Sequence, residues 1–509
     1  MTASEEAKPR TAGEADAPGD DIRAQAIRGA AWMMGLQWAV RGLGIASTAI
    51  LARLLTPSDF GLMAMATLTL AVIAMFGVTG QDLALIRLGR PSRDYFDSAW
   101  TIEVIAGVVL FSAALAVSPL ARIYFHSAEV GPIVCVLALR LLLEGFTNIG
   151  IVYFRIDFDF SREFKYYTCR KLCAVVLGVA CVLIWRNVWG LVIAGVLAKA
   201  VDVILSYAMH RFRPRFGLKR AREIWSYSSW MLVVAHGRHL AARTDEYIVG
   251  ALGNAAAMGA YNVGADISVT PTVDLVQPVM RAMFPVYSRL LGDPERLRTA
   301  ALRVIAATAT VCLATGPGVA GIARELTLLL LGSQWSQASS LVFWFGIGAI
   351  PFGIRFAIYA ILGVTDNLRL TAAAVWIRVA LLIPVLVVAG RWGGVAAIAE
   401  AQALLGLLTL CADIAVLRLA VKVGFADFAR CVMRPLAAAV TMTIVLAICE
   451  RSVHLPLAMS LVVKIAAGAV AYLGSLTVLW LLARRPDGIE RVAVAVMANA
   501  IARYVRRRR

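Results

Sequence analysis

The chain has 509 residues and is 60% hydrophobic, with a mean hydropathy of +0.76. Soluble domains are about 45–50% apolar, so the composition excludes a soluble globular protein. A net charge of +18 would suggest nucleic acid in a soluble chain, but here the basic residues fall in alternate loops between apolar runs, which is a membrane-topology signal. No nucleic-acid partner is expected.

Residues 1–26 are rich in Ala, Glu, Asp, Pro and Gly without apolar periodicity, and are expected to be a disordered tail with no cleavable signal peptide. Fourteen runs then follow that are long enough to cross a bilayer, at about 20 residues each. Their limits are 29–52, 60–80, 99–118, 131–154, 169–186, 188–209, 228–252, 257–280, 301–322, 338–362, 370–389, 393–417, 431–449 and 456–482. The fold class expected is an all-α polytopic membrane protein.

Orientation is read from the loops. One set carries Arg87, Arg90, Arg93, then Arg155, Arg162, Lys165, Arg170 and Lys171, then Arg211 to Arg222, and then Arg281 to Arg303. The opposite set carries only Arg53, Arg122, Arg186, Arg324, Arg391 and Arg451. The asymmetry places both termini on the cytoplasmic side of a multi-pass membrane protein. The loop 210–226, HRFRPRFGLKRAREIWS, is expected to be a basic cytoplasmic linker helix on the anionic leaflet. Residues 486–509 are expected to form a basic amphipathic helix at the interface.

The seventh run carries His236, Arg238, His239, Arg243, Asp245 and Glu246 within an apolar segment. Charges at bilayer depth mark a wet cavity or a buried pair. At about 100° per residue, His236, His239, Arg243 and Glu246 share one arc, whereas Arg238 and Asp245 share the other side as an internal ion pair. Elsewhere, Arg140 and Glu144 stand four apart and Lys199 and Asp202 three apart, spacings at which each can pair. Arg41, Arg243, Arg355 and Arg378 have no evident acidic neighbour and, with His239, are expected to line a cationic cavity. Pro271 and Pro278 are expected to kink the eighth span.

Trp32-Met33 and Trp230-Met231 open the first and seventh runs at an offset of 198, which also superposes Leu54 on Leu252 and Gly61 on Gly259. The offset equals six spans, so the repeat is parallel, as in many secondary transporters. It divides the chain into a first six-helix bundle (27–209) and a second one (227–420). Two extra transmembrane helices follow (421–485).

No Ser-His-Asp set, phosphate-cradling loop or zinc signature is present. The eight cysteines have no metal-ligand company, so a transporter rather than an enzyme is expected, with no metal and no cofactor. His236 and His239 suit cavity lining or proton handling.

The stretches ARLLTPSDFGLMAMATL (52–68), GQDLALIRLGR (80–90), RIDFDFSREFKY (155–166) and RTDEYIVGALGNAAAMGAYNVG (243–264) resemble the polysaccharide-exporter branch of the multidrug/oligosaccharidyl-lipid/polysaccharide (MOP) flippase superfamily. Within it they resemble the Wzx-type exporters of the colanic acid and succinoglycan kind. The resemblance implies two pseudo-symmetric bundles with alternating access. It also implies translocation of undecaprenyl-diphosphate-linked oligosaccharide repeat units for exopolysaccharide or lipopolysaccharide synthesis. The partners it implies are that lipid-linked substrate, membrane lipids, a polysaccharide polymerase and a chain-length regulator. A proton or sodium ion would couple transport through Asp245, Glu246 or the histidines His236 and His239, with Arg238 kept as an internal ion-pair partner. The alternatives are a multidrug/cation antiporter of the same superfamily, which would prefer an acidic cavity, and a membrane-embedded polymerase or glycosyltransferase, which would need larger outer loops.

Overall fold

Backbone N–H and C=O groups find no water in a bilayer, so apolar runs cross it as helices or as a closed barrel. The computed structural model shows helices, and no strand among the described residues, which are 42–77, 81, 85, 92–157, 159–223, 240, 242–365, 368–452 and 455–483. The expectations for the tail 1–26 and for the helix 486–509 lie outside them.

In chain order the helices are α1 (Gly42–Leu54), α2 (Pro57–Met75), α3 (Arg93–Tyr124), α4 (Val130–Gly145), α5 (Ile149–Ile156), α6 (Phe160–Trp185) and α7 (Val188–Met209). There follow α8 (242–252), α9 (Ala255–Leu290), α10 (Pro294–Gly321), α11 (Ala323–Leu330), α12 (Ala338–Leu362), α13 (Leu368–Val421), α14 (Phe425–Ser452) and α15 (Leu457–Leu482). Among the described residues, 9 helices are long and apolar enough to cross a membrane, or up to 10 with α4 and α5 taken as one bent span. The 54-residue α13 covers two of the expected runs, and Gly394 divides it at φ 66°, ψ −159°. Only glycine adopts that conformation readily. With the 36-residue α9 and the described ends α1 and α8, the set is compatible with fourteen spans. Large apolar side chains such as Leu408, Val470 and Leu482 face outward, as lipid contact requires. This is a multi-pass membrane protein.

The offset of 198 recurs in the geometry. Thr56 caps α2 by accepting from the Asp59 N–H, and Asn254 caps α9 by accepting from the Ala257 N–H, 198 residues further on. The turns before them match as well: Leu55 N donates to Leu51 O, and Gly253 N to Val249 O, at 3.0 and 2.8 Å. The helices α2 and α9 then cross each other reciprocally. A Cβ on Gly61 would lie 1.6 Å from Ala255 O, and one on Gly259 would lie 1.8 Å from Pro57 O. Position 61 meets 255 and 259 meets 57, so the offset exchanges the two contacts, as a local two-fold axis does. Small residues are what permit backbones to approach this closely.

One core runs across that crossing, with Leu62, Met65 and Leu68 from α2 packed with Met258 and Tyr261 from α9 and with Trp335, Leu341 and Phe345. A second core joins α9, α10, α12 and the last part of α13 to the extra helices α14 and α15 through Ile305, Ile358, Leu417, Met442 and Tyr472. Lys464 of α15 is buried between Glu325 of α11 and Glu450 of α14, with its Nζ 2.5 Å from Glu325 Oε1. The two added helices are therefore fastened to the second half.

Three local expectations change. The linker 210–226 is not a helix over its described part: residues 210–218 form neither helix nor strand, followed by a turn and three helical residues, 221–223. Pro214 and Gly217 disfavour helix there. Period-two alternation leaves Arg211, Arg213 and Arg215 exposed, while Phe212 turns inward onto Phe96 and Tyr153. The fifth span starts earlier than residue 169, at Phe160, because Asp159 caps it by accepting from the Arg162 N–H at 3.1 Å. The fourth run is not one straight helix: α4 and α5 are bent by 58° around the buried Asn148. Pro271 and Pro278, by contrast, lie inside an uninterrupted helical run, α9.

Candidate substrate path between the halves

The halves meet at the end of the bundle opposite the basic loops. There the Arg53 guanidinium donates to Leu329 O at 2.6 Å, Gln334 Nε2 donates to Ala52 O and Leu55 O, and Trp335 Nε1 donates to Ala52 O at 2.8 Å. The Trp335 ring also lies edge-on to Phe60 with centroids 5.3 Å apart. Tyr124 Oη donates to Tyr247 O at 2.9 Å, and Gly250 lies against the Phe125 ring. With the Gly61–Gly259 crossing, these contacts form a seal. The Ala52 carbonyl it uses belongs to the last turn of α1 and the Leu55 carbonyl lies just past its end, so neither has a partner within the helix.

Beside the Tyr124–Tyr247 contact, a cleft of about 1030 Å³ opens between the halves. Its walls include Val72 and Phe76 of α2, Val109 and Val117 of α3, Tyr247 of α8 and Trp376 of α13. They are apolar, but Leu240 and Tyr247 both line the cleft and Arg243 stands between them at helical spacing. The Arg243 guanidinium is half-exposed and grips both oxygens of Glu246, at 2.5 and 2.7 Å.

Arg243 therefore has an acid, contrary to the expectation. Arg355 has one too: it is buried, and its Nε donates to Asp413 Oδ2 at 2.7 Å. Its other donors meet Gly406 O at 3.0 Å and Thr409 Oγ1 at 2.9 Å, while Tyr359 Oη donates to Asp413 Oδ1. A cation so fully compensated is a joint between α12 and α13. Arg378, half-buried on α13, stands within electrostatic reach of Arg355, Asp413 and Asp245. Arg41, His236, Arg238 and His239 lie outside the described residues.

Asp245, expected to pair with Arg238, is buried and accepts from Tyr261 Oη at 2.8 Å; the same hydroxyl lies 2.7 Å from Gln402 Oε1. Tyr261 of α9 and Gln402 of α13 thus hold a carboxylate of α8 within the second half. Lys199 and Asp202 pair as expected, at 2.9 Å. Glu144 does not close on Arg140 but on Lys199, with Oε2 2.5 Å from its Nζ, because Lys199 is brought across from α7; Arg140 keeps only longer-range attraction to Glu144. Tyr166 Oη donates to Asp202 Oδ1 at 2.5 Å, and Arg170 Nε lies 3.6 Å from the same oxygen. Among the described residues no group of His, Cys, Asp and Glu could hold a metal ion.

Tyr261, Gln402, Trp335 and Gln334 carried no sequence signal, since each partner lies far along the chain. Asp413 likewise lies 58 residues from its partner Arg355 in sequence.

The family model described as "Polysaccharide biosynthesis protein" matches residues 50–340, which include the α2–α9 crossing and the Trp335 seal. The chain belongs to that family. It is 24% identical over 331 residues to the succinoglycan biosynthesis transport protein ExoT of Rhizobium meliloti (strain 1021), a match over 64% of this chain and 66% of that one. The match thus spans slightly less than two thirds of the relative's length. Among solved structures, the lipid II flippase MurJ in an inward closed conformation matches with a TM-score of 0.72 at 12% identity, over 88% of this chain and 99% of that chain. An inward-facing multidrug-resistance MATE transporter of the MOP superfamily matches with a TM-score of 0.59 at 13% identity, over 78% and 94%. The fold is the MOP flippase fold that the sequence implied.

Proposed function

We propose that this protein is a flippase of the bacterial inner membrane, a transporter and not an enzyme. It carries undecaprenyl-diphosphate-linked oligosaccharide repeat units to the periplasmic face for exopolysaccharide or lipopolysaccharide synthesis. The observation that carries the reading is the interhalf cleft: its walls are apolar, the half-exposed Arg243 stands on α8 four residues from Tyr247, which lines it, and the chain's family is described by polysaccharide biosynthesis. An amphiphile with a long apolar tail and an anionic diphosphate suits such a surface, since arginine binds phosphate oxygens in pairs. In this reading Arg243 exchanges Glu246 for the diphosphate, and Arg41, His239 and Arg378 extend the cationic lining. Arg355 stays with Asp413 and holds the second half together.

The basic loops face the cytoplasm, as do both termini, so the sealed end is periplasmic and the state is closed to the outside. Transport alternates this state with one in which the Trp335 seal opens. A proton or sodium ion biases the exchange by binding the two states unequally; Asp245, on α8 two residues from the cleft-lining Tyr247 and held by Tyr261, is the carboxylate best placed for it. A polysaccharide polymerase and a chain-length regulator act on the product.

The test is complementation of the native strain's own deletion by the wild type, Arg41→Ala and Arg243→Ala at matched membrane levels. Restored polymer export by the wild type and its loss in both variants is the expected result. Full export by both variants would remove the cationic lining from the reading, and no export by the wild type would overturn the reading itself.

A further inference from the structure

At the basic end, the first half is closed by its own linker. The segment 210–218 is pinned by backbone donors: Arg215 N to Asp97 Oδ1 at 2.9 Å and Gly217 N to Thr101 Oγ1 at 3.0 Å, followed by Arg220 N to Ser98 Oγ at 3.1 Å. All three acceptors belong to the first turns of α3. From the other side, Asn148 Nδ2 donates to Phe212 O at 2.9 Å, and a Cβ on Gly150 would meet the Phe212 Cβ at 2.6 Å. The strap therefore has a fixed register. Arg211, Arg213 and Arg215 stand exposed along it, two residues apart.

The same strap exposes apolar side chains. Phe216 is 71% exposed although its ring lies 4.9 Å from that of Trp100, and Leu218 is 53% exposed. Among the described residues no acid lies within salt-bridge distance of Arg211, Arg213 or Arg215, whereas Lys219 reaches Asp94 and Arg220 reaches Glu223. Arg213 itself turns back to donate to His210 O and Phe212 O. Exposed aromatic and aliphatic groups beside unneutralised cations, at the mouth of a membrane helix, match the boundary between headgroups and acyl chains.

From this geometry we infer that the strap 210–218 is a binding site for anionic phospholipid headgroups of the leaflet at the basic end. Arg211 and Arg215 contact lipid phosphates, and Phe216 and Leu218 enter the acyl boundary. The site is remote from the Arg243 cleft, and the inference does not depend on what the cleft transports.

The experiment is native mass spectrometry of the full-length purified protein with phosphatidylglycerol, phosphatidylcholine or a short polyprenyl diphosphate. The proteins are the wild type, the triple variant Arg211→Gln, Arg213→Gln and Arg215→Gln, and Asp97→Ala. The wild type should retain phosphatidylglycerol over phosphatidylcholine, and the triple variant should lose that retention by roughly tenfold or more, each surface cation contributing several-fold. Asp97→Ala removes no cation but frees the strap, so it should also weaken retention. A control, Arg391→Gln at the opposite end, should not, and a cooperative melting transition in each variant shows that it is folded. Equal retention by wild type and triple variant would overturn the inference. So would equal binding of phosphatidylcholine, or a preference for the polyprenyl diphosphate that the triple variant alone loses.

Discussion

The two ends of the molecule are closed in different ways. At the sealed end, two helices related by a 198-residue offset cross through glycines, and side chains from one half donate to carbonyls of the other. At the basic end, the first half is stitched to its own linker by Asn148, Asp97 and Thr101. The sealed end is an interface between halves, and the basic end is the inside of one half. An alternating transporter needs that difference, because contacts between halves must break whereas contacts within a half must last.

The largest effect should come from Gly61→Leu or Gly259→Leu. Either side chain would enter a space already occupied by a backbone carbonyl, which cannot swing aside, at a cost of about 3 kcal/mol or more. The reciprocal crossing predicts similar losses of melting temperature for the two variants. A large loss in one and none in the other would break the symmetry. Asn148→Ala at the basic end should cost about 1–3 kcal/mol, because buried strap and helix carbonyls lose their donor. It should lower thermal stability while leaving the seal intact, as read by cross-linking at the opposite end.

Trp335→Phe keeps a ring against Phe60 but removes the donor to Ala52 O, a loss of about 1 kcal/mol. Because that bond joins halves, it should shift the balance toward the open seal and raise labelling of a reporter thiol at position 55. The smallest effect concerns His210. Partial burial lowers its pKa below the ordinary imidazole value, aided by Arg162 and Arg213, and its Nδ1 accepts from the Phe212 N–H. The folded state then binds fewer protons than the unfolded one, so stability rises with pH. The contribution is present above about 6.5 and is lost as pH falls through the lower folded value. His210→Gln should flatten the pH dependence of melting in that window.

The fold was legible because bilayer burial imposes length and hydropathy on every span, and because the repeat left Gly61 and Gly259 in register. The Lys199–Asp202 pair was legible for a similar reason, being local on one helix. The linker's charge suggests a surface helix, but Pro214, Gly217 and the alternation of Phe212 with arginines outweigh it. Arg355 looked unpaired because its acid lies 58 residues away, on a helix that only tertiary packing brings near. Glu144 was given to Arg140 on spacing alone, and a lysine from α7 took it.

The most direct test of the central claim is to lock the seal. In a background lacking the eight native cysteines, Leu55→Cys and Gln334→Cys place thiols on the two sides of a contact between halves. A short cleavable bismaleimide would join them in membranes. The account predicts that polymer export stops when the link forms and returns when it is cut, because the sealed end must open in each cycle. Undiminished export with the link complete would contradict it.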